Sequence, residues 1–113
     1  MKYKTCVSIA EKTPNKVLSV IKTVLQKSDF AEIRFDFLLT RDIPKTLELT
    51  KKYHKRCVFT LRPKNQGGKF SGTEKERVSI LKLMAEYNPY FLDIEFSASH
   101  NQRSEEHTSE LQS

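Results

Sequence analysis

Residues 31–38, Ala-Glu-Ile-Arg-Phe-Asp-Phe-Leu, alternate strictly between apolar and charged side chains. Ala31, Ile33, Phe35 and Phe37 fall on one side of an extended chain, and Glu32, Arg34 and Asp36 on the other. Period two with aromatic and β-branched residues predicts a β-strand. Alone, such a strand suits an antiparallel sheet with one solvated face. Its neighbours, however, alternate between helix and strand patterns, which points to a parallel sheet covered by helices. A charged strand face in that setting is expected to point into an enclosed space. In a closed parallel barrel that space is the lumen, with the active site at the C-terminal mouth.

The rest of the chain repeats the arrangement. Thr5 to Ala10 reads as a strand with Cys6, Ser8 and Ala10 on one face. Thr13-Pro14 is a helix start, with Thr13 as N-cap and Pro14 at the first helical position. Val17, Leu18, Ile21, Val24 and Leu25 then form an apolar stripe. Asp42 is the expected N-cap of a second helix with Ile43, Leu47 and Tyr53 inward, ending near His54. Cys57 to Arg62 is a third strand, with Val58, Thr60 and Arg62 on one face. A loop from Pro63 to Gly72 carries Gly67-Gly68. Thr73 and Glu76 have capping-box spacing and open a third helix with Val78, Leu81, Met84 and Ala85 inward. Asn88-Pro89 stops it, and Tyr90 to Phe96 is a fourth strand with Asp93 and Glu95 on its polar face.

The order β-α-β-α-β-α-β, with polar residues on one face of every strand, predicts a shared polar lumen. An open, doubly wound sheet is the competing architecture. It would have more continuous apolar strands and a Gly-rich loop after the first of them, as in dinucleotide-binding folds. The expected class is therefore α/β, about the first four strands and three helices of a (β/α)8 TIM barrel. At 113 residues the chain is short for such a barrel, which needs roughly 200.

Composition narrows the partners. A formal charge of +6 raises nucleic acid as a ligand. The lysines are dispersed over helix surfaces and helix ends, no aromatic-interleaved basic patch occurs, and a small anionic ligand is preferred. No apolar run approaches the ~18 residues of a membrane span, and no signal peptide opens the chain, so a cytoplasmic location is expected. Cys6 and Cys57 lack metal-ligand spacing and are expected as reduced core thiols.

Residues 103–113 differ in kind. Arg-Ser-Glu-Glu-His-Thr-Ser-Glu-Leu-Gln-Ser has no apolar period and resembles, residue for residue, the translation of a widely used short-read sequencing adapter. The expected organisation is a native stretch over 1–99 and a non-native, disordered tail over 100–113, with the reading frame cut just after the fourth strand. Glu105, Glu106 and His107 are then no metal site, and His100 is no candidate ligand.

Arg34 and Arg62 close neighbouring parallel strands on one face, with Ser8 and Glu32 beside them. Two guanidiniums can bind a carboxylate, and the serine and glutamate can bind hydroxyls. An internal salt-bridge network filling the lumen is the alternative. Val-Ser-Ile-Ala at 7–10, Glu-Ile-Arg-Phe-Asp-Phe at 32–37, Thr-Leu-Arg-Pro-Lys at 60–64 before Gly67-Gly68, and Leu-Asp-Ile-Glu at 92–95 together resemble type I 3-dehydroquinate dehydratase. The resemblance runs over roughly residues 4–96.

It implies a (β/α)8 lyase of the shikimate pathway, in aromatic amino-acid biosynthesis. The enzyme converts 3-dehydroquinate to 3-dehydroshikimate and water through a lysine imine, without metal or organic cofactor. It further implies Ser8, Glu32, Arg34 and Arg62 as substrate-binding residues and Gln66 as a loop contact, where the family commonly has glutamate. The parent enzyme would take a small-molecule substrate rather than nucleic acid or membrane, and a homodimer is compatible with it. The family's imine-forming lysine and its partner histidine belong to strands beyond the fourth, so no catalytic residue is expected here and the chain alone is expected to be inactive. Another Schiff-base lyase or aldolase-like barrel, or a small stand-alone anion- or nucleic-acid-binding module, are the alternatives.

Overall fold

In a computed structural model, residues 4–94 are described. They form β1 (Cys6–Ile9), α1 (Pro14–Lys27), β2 (Phe30–Arg34), α2 (Ile43–Leu49), β3 (Cys57–Thr60), α3 (Glu74–Ala85) and β4 (Phe91–Asp93), with short 3-10 turns between. Glu95, Phe96, His100, His107 and the adapter-like segment lie outside the described residues.

The four strands form one parallel sheet in the order β1-β2-β3-β4. Each new strand adds beside the last, so the sheet grows in one direction, as in a barrel wall. A doubly wound sheet reverses direction at a switch point. The register places Ser8 beside Glu32, Glu32 beside Val58, Arg34 beside Thr60, and Thr60 beside Asp93. Since side chains of paired positions in a parallel sheet share a face, one face carries the polar residues, with Phe30, Val58 and Phe91 among them, and the other is apolar.

The apolar face and the helices make the core. Ile9, Ala31, Ile33, Cys57 and Phe59 from the strands pack with Val17, Ile21 and Leu25 of α1, Ile43 and Leu47 of α2, and Leu81 and Met84 of α3, all buried. Phe35 and Phe59 meet edge to face at 5.0 Å. Two of the three expected helix caps form. Thr13 accepts from the Lys16 N–H at 3.3 Å, and Thr73 with Glu76 forms a reciprocal capping box.

Several local expectations are corrected. The strand expected to run through Leu38 ends at Arg34, and Phe35–Phe37 wind into a 3-10 turn, so that Phe35 and Asp36 are both buried. Asp42 makes no side-chain cap, because a 3-10 turn over Thr40–Asp42 already leads the chain into α2. The second helix gives way at Thr50 to a 3-10 run over Lys51–Arg56. Ala85 is exposed, and Arg77 takes the buried position in its place. Cys57 is a core thiol, pushed up to about 12 chiefly by burial. Cys6 is exposed, because it sits on the polar face of an edge strand. Nor is the polar face enclosed among the described residues: Glu32, Arg34, Arg62 and Asp93 are half-buried and Ser8 is exposed. Among the described residues, no helix is long and apolar enough to cross a membrane.

Candidate functional site

The polar face gathers around the Glu32 carboxylate. Ser8 Oγ donates to its Oε1, and Thr60 Oγ1 donates to its Oε2 at 2.6 Å, so three adjacent strands are joined through one acidic side chain. The register explains the contact, since Ser8 and Glu32 are direct partners and Thr60 lies two residues beyond Val58, the partner of Glu32, on the same face. A carboxylate held by two hydroxyls has a fixed orientation and keeps lone pairs for further donors.

Two arginine–aspartate pairs flank it. Arg34 donates through Nε and Nη2 to Asp36 Oδ1 and Oδ2, at 3.0 and 2.8 Å, in the bidentate geometry that suits guanidinium and carboxylate. These hydrogen bonds push the Arg34 pKa above its ordinary value against the opposing effect of burial, with Glu32 and Asp93 adding to the same field. Its guanidinium lies 5.0 Å from the Phe37 ring centre. Arg62 follows the end of β3 and donates to Asp93 Oδ2 at 3.3 Å. Both pairs are partly solvated at the arginine, with 21% and 38% of those side chains exposed, so each guanidinium stays reachable by a ligand.

The loop after β3 is built to close on itself. Phe70 N–H donates to the Arg62 carbonyl, Lys64 N–H to the Phe70 carbonyl, and Gly68 N–H to the Pro63 carbonyl. Gly67 has φ +85°, in the left-handed region that favours glycine. A Cβ at Gly68 would lie 2.0 Å from the Arg62 carbonyl oxygen. The Gly-Gly pair is thus required by the loop that sets Arg62. Beside it, the loops after β2 and β3 enclose a cleft of about 490 Å³ lined by Asp36, Phe37, Thr40, Lys69 and Ser71, with Lys12 from the loop after β1. The cleft opens at the carboxyl ends of the strands, the end at which barrel enzymes carry their sites.

Of the residues expected from the sequence, Ser8 and Glu32 are in direct contact. Arg34 and Arg62 lie on the same face but are held by separate aspartates. Gln66 is half-buried in the 3-10 turn Lys64–Gln66, and no side-chain hydrogen bond joins it to the Glu32 cluster. The alternation also sets Thr60, Asp36 and Asp93 on the polar faces of their strands, but the sequence gives them no role in a site. His54, which had no role in the sequence reading, is buried between the Thr50 hydroxyl and the Tyr87 carbonyl on the helix side. Among the described residues, no group of three or more His, Cys, Asp or Glu side chains is placed to hold a metal ion.

Comparison with known proteins gives a consistent result. The family model for type I 3-dehydroquinase matches residues 5–112, a span that runs into the adapter-like segment. The 3-dehydroquinate dehydratase of Methanocaldococcus jannaschii is 29% identical over 96 residues, covering 85% of this chain and 42% of that protein. That of Methanothermobacter thermautotrophicus is 35% identical over 100 residues, covering 88% of this chain and 45% of the relative. That of Lactococcus lactis is 38% identical over 74 residues, covering 61% and 31%. The crystal structure of the Geobacillus kaustophilus 3-dehydroquinate dehydratase superposes with a TM-score of 0.72 at 18% identity, over 90% of this chain and 43% of that one. The last likeness concerns the fold: the sheet and its helices correspond to a partial barrel. The chain spans less than half the length of the curated relatives it matches. It belongs to the type I 3-dehydroquinase family.

Proposed function

We propose that this chain supplies the substrate-holding wall of a 3-dehydroquinate dehydratase site. The observation that carries the reading is the Glu32 carboxylate held between Ser8 and Thr60, with the Arg34 and Arg62 guanidiniums on the same face of the sheet. 3-Dehydroquinate is a cyclic polyol bearing a ketone and a carboxylate. In the proposed complex a guanidinium takes the carboxylate, the preferred match for a planar donor pair. Glu32 accepts from ring hydroxyls, and Ser8 and Thr60 hold it in the orientation to do so. Gln66 contributes a neutral amide that can hydrogen-bond but cannot act as a carboxylate in proton transfer.

The reaction proposed for the whole enzyme eliminates water from a β-hydroxy ketone by way of a lysine imine. The lysines near this wall, Lys12, Lys64 and Lys69, are exposed loop residues. A lysine activated for imine formation sits in an apolar pocket or beside another cation, and an exposed loop position offers neither. The wall therefore binds and orients the substrate, and the imine and proton-transfer chemistry are assigned to groups outside residues 4–94.

The test has two parts on the purified 113-residue chain. Calorimetric or NMR titration with 3-dehydroquinate is expected to show saturable binding, and an assay for the conjugated enone product is expected to show no turnover. Binding no tighter than that of a neutral cyclohexanone polyol would overturn the substrate reading. Enone formation would overturn the division between holding and chemistry.

A further inference from the structure

Asp36 carries more than its pairing with Arg34. Its side chain is fully buried, and both oxygens are used. Oδ1 accepts from Arg34 Nε, and Oδ2 accepts from Arg34 Nη2 and from the backbone N–H of Lys69 at 3.0 Å. Lys69 directly follows Gly68. The next residue, Phe70, is buried and donates its N–H to the Arg62 carbonyl at 3.1 Å. One carboxylate thus holds the side chain of one site arginine directly and reaches the backbone of the other through two residues of the closed loop.

We propose that Asp36 is a positioning residue that sets Arg34 and the Gly67-Gly68 loop, and through that loop Arg62, in one shared geometry. The consequence for substrate rests on the function proposed above; the mechanical coupling does not. An exposed ion pair at this place would contribute little. A buried carboxylate behaves differently, because its removal leaves a guanidinium edge and a backbone N–H without their acceptor. Asparagine in its place keeps the shape but turns one acceptor into a donor that faces donors. The loop must also stay closed for the Phe70 N–H to reach the Arg62 carbonyl, so loosening at Lys69 reaches the arginine whose side chain meets Asp93.

Hydrogen exchange on the ¹⁵N-labelled chain, with 3-dehydroquinate titrated in the same samples, tests the coupling. In Asp36→Asn, the Lys69 amide and the Arg34 Nε–H are expected to lose protection together, each by about tenfold or more, and the Kd for 3-dehydroquinate to rise about tenfold. The Ile33 and Phe59 amides should stay protected, which shows that the fold persists. Arg34→Lys reads the same coupling with Asp36 intact. A lysine ammonium cannot satisfy both oxygens as a fork does, and Lys69 exchange should rise several-fold. Asp36→Glu keeps the charge and should restore part of the affinity. Lys69 exchange within twofold of wild type in Arg34→Lys, or in a folded Asp36→Asn, would overturn the proposal, as would unchanged affinity in the latter. Absence of binding by the unmutated chain would contradict the proposed substrate and leave the exchange results to decide the role of Asp36.

Discussion

The two ends of the sheet use arginine in opposite ways. At the end where the strands begin, Arg56 donates to the carbonyls of Leu25, Ser28 and Asp29, at 3.0, 2.9 and 3.1 Å. All three are backbone acceptors, and they include carbonyls left open at the C-terminal end of α1. At the end where the strands finish, Arg34 and Arg62 donate to the carboxylates of Asp36 and Asp93. Backbone carbonyls need a donor whether or not a ligand is present, so Arg56 belongs to the fold. A guanidinium set by a carboxylate keeps further N–H groups for a ligand, and the partner fixes where they point. The residue type is the same at both ends, and the partner decides its use.

Arg77 is the case that tests this division hardest. It lies near the carboxyl ends of the strands, yet it is buried, donating from Nη1 to the Leu61 carbonyl at 3.0 Å and from Nε and Nη2 to Glu74. Its backbone acceptor places it with Arg56. Arg77→Met is therefore expected to cost about 1.5–3 kcal/mol in chemical denaturation. The substitution also removes the tether on Leu61, one residue before Arg62. Full stability in this variant would break the rule that a backbone acceptor marks a structural arginine.

Arg56→Ala should cost less, about 1–2 kcal/mol by the same measurement, because the group lies at the surface and closes a helix end. Substrate affinity should stay within twofold, since Arg56 is at the far end of the strands. The pH response lies on the helix side as well. Burial of His54 lowers its pKa, outweighing its hydrogen bond to the Tyr87 carbonyl and the field of Glu48. The unfolded chain then binds a proton near pH 6.5 that the folded chain takes up only at lower pH. Stability is expected to be full above about pH 6.5 and to fall as pH drops below it. His54→Gln should flatten that slope in a pH series of melting curves, and an unchanged slope would assign it to other groups.

The sequence made one layer of this legible and hid another. The helix starts at Thr13 and Thr73, the polar faces of the strands, and the candidates Ser8, Glu32, Arg34 and Arg62 follow from spacing, which is local. The turn that buries Asp36 was hidden because Phe35-Asp36-Phe37 continues the alternation of β2. What ends the strand is burial of Phe35 against Phe59 and a hydrogen bond to Lys69, 33 positions away, and neither has a local signature. Arg77 reads as a solvated helix residue until α3 docks on Leu61. His54 looked like a helix end, and its place among Phe59, Thr50 and Tyr87 is a product of packing. The enclosed lumen was inferred from charge on four strands. Those strands build one wall of such a space, and among the described residues its polar side is open.

Titration of 3-dehydroquinate into the ¹⁵N-labelled chain, run for wild type and for Arg62→Lys, bears most directly on the division between the two ends. Saturable shift changes are expected, confined to Ser8, Glu32, Arg34, Thr60 and Arg62 and to the loop around Gly67 and Gly68, with Arg56 and Ser28 unmoved. In Arg62→Lys, binding should weaken about tenfold while stability changes by less than about 0.5 kcal/mol, because the pair with Asp93 is partly exposed. Shifts centred on the Arg56 end, or Arg62→Lys binding as tightly as wild type, would contradict that division.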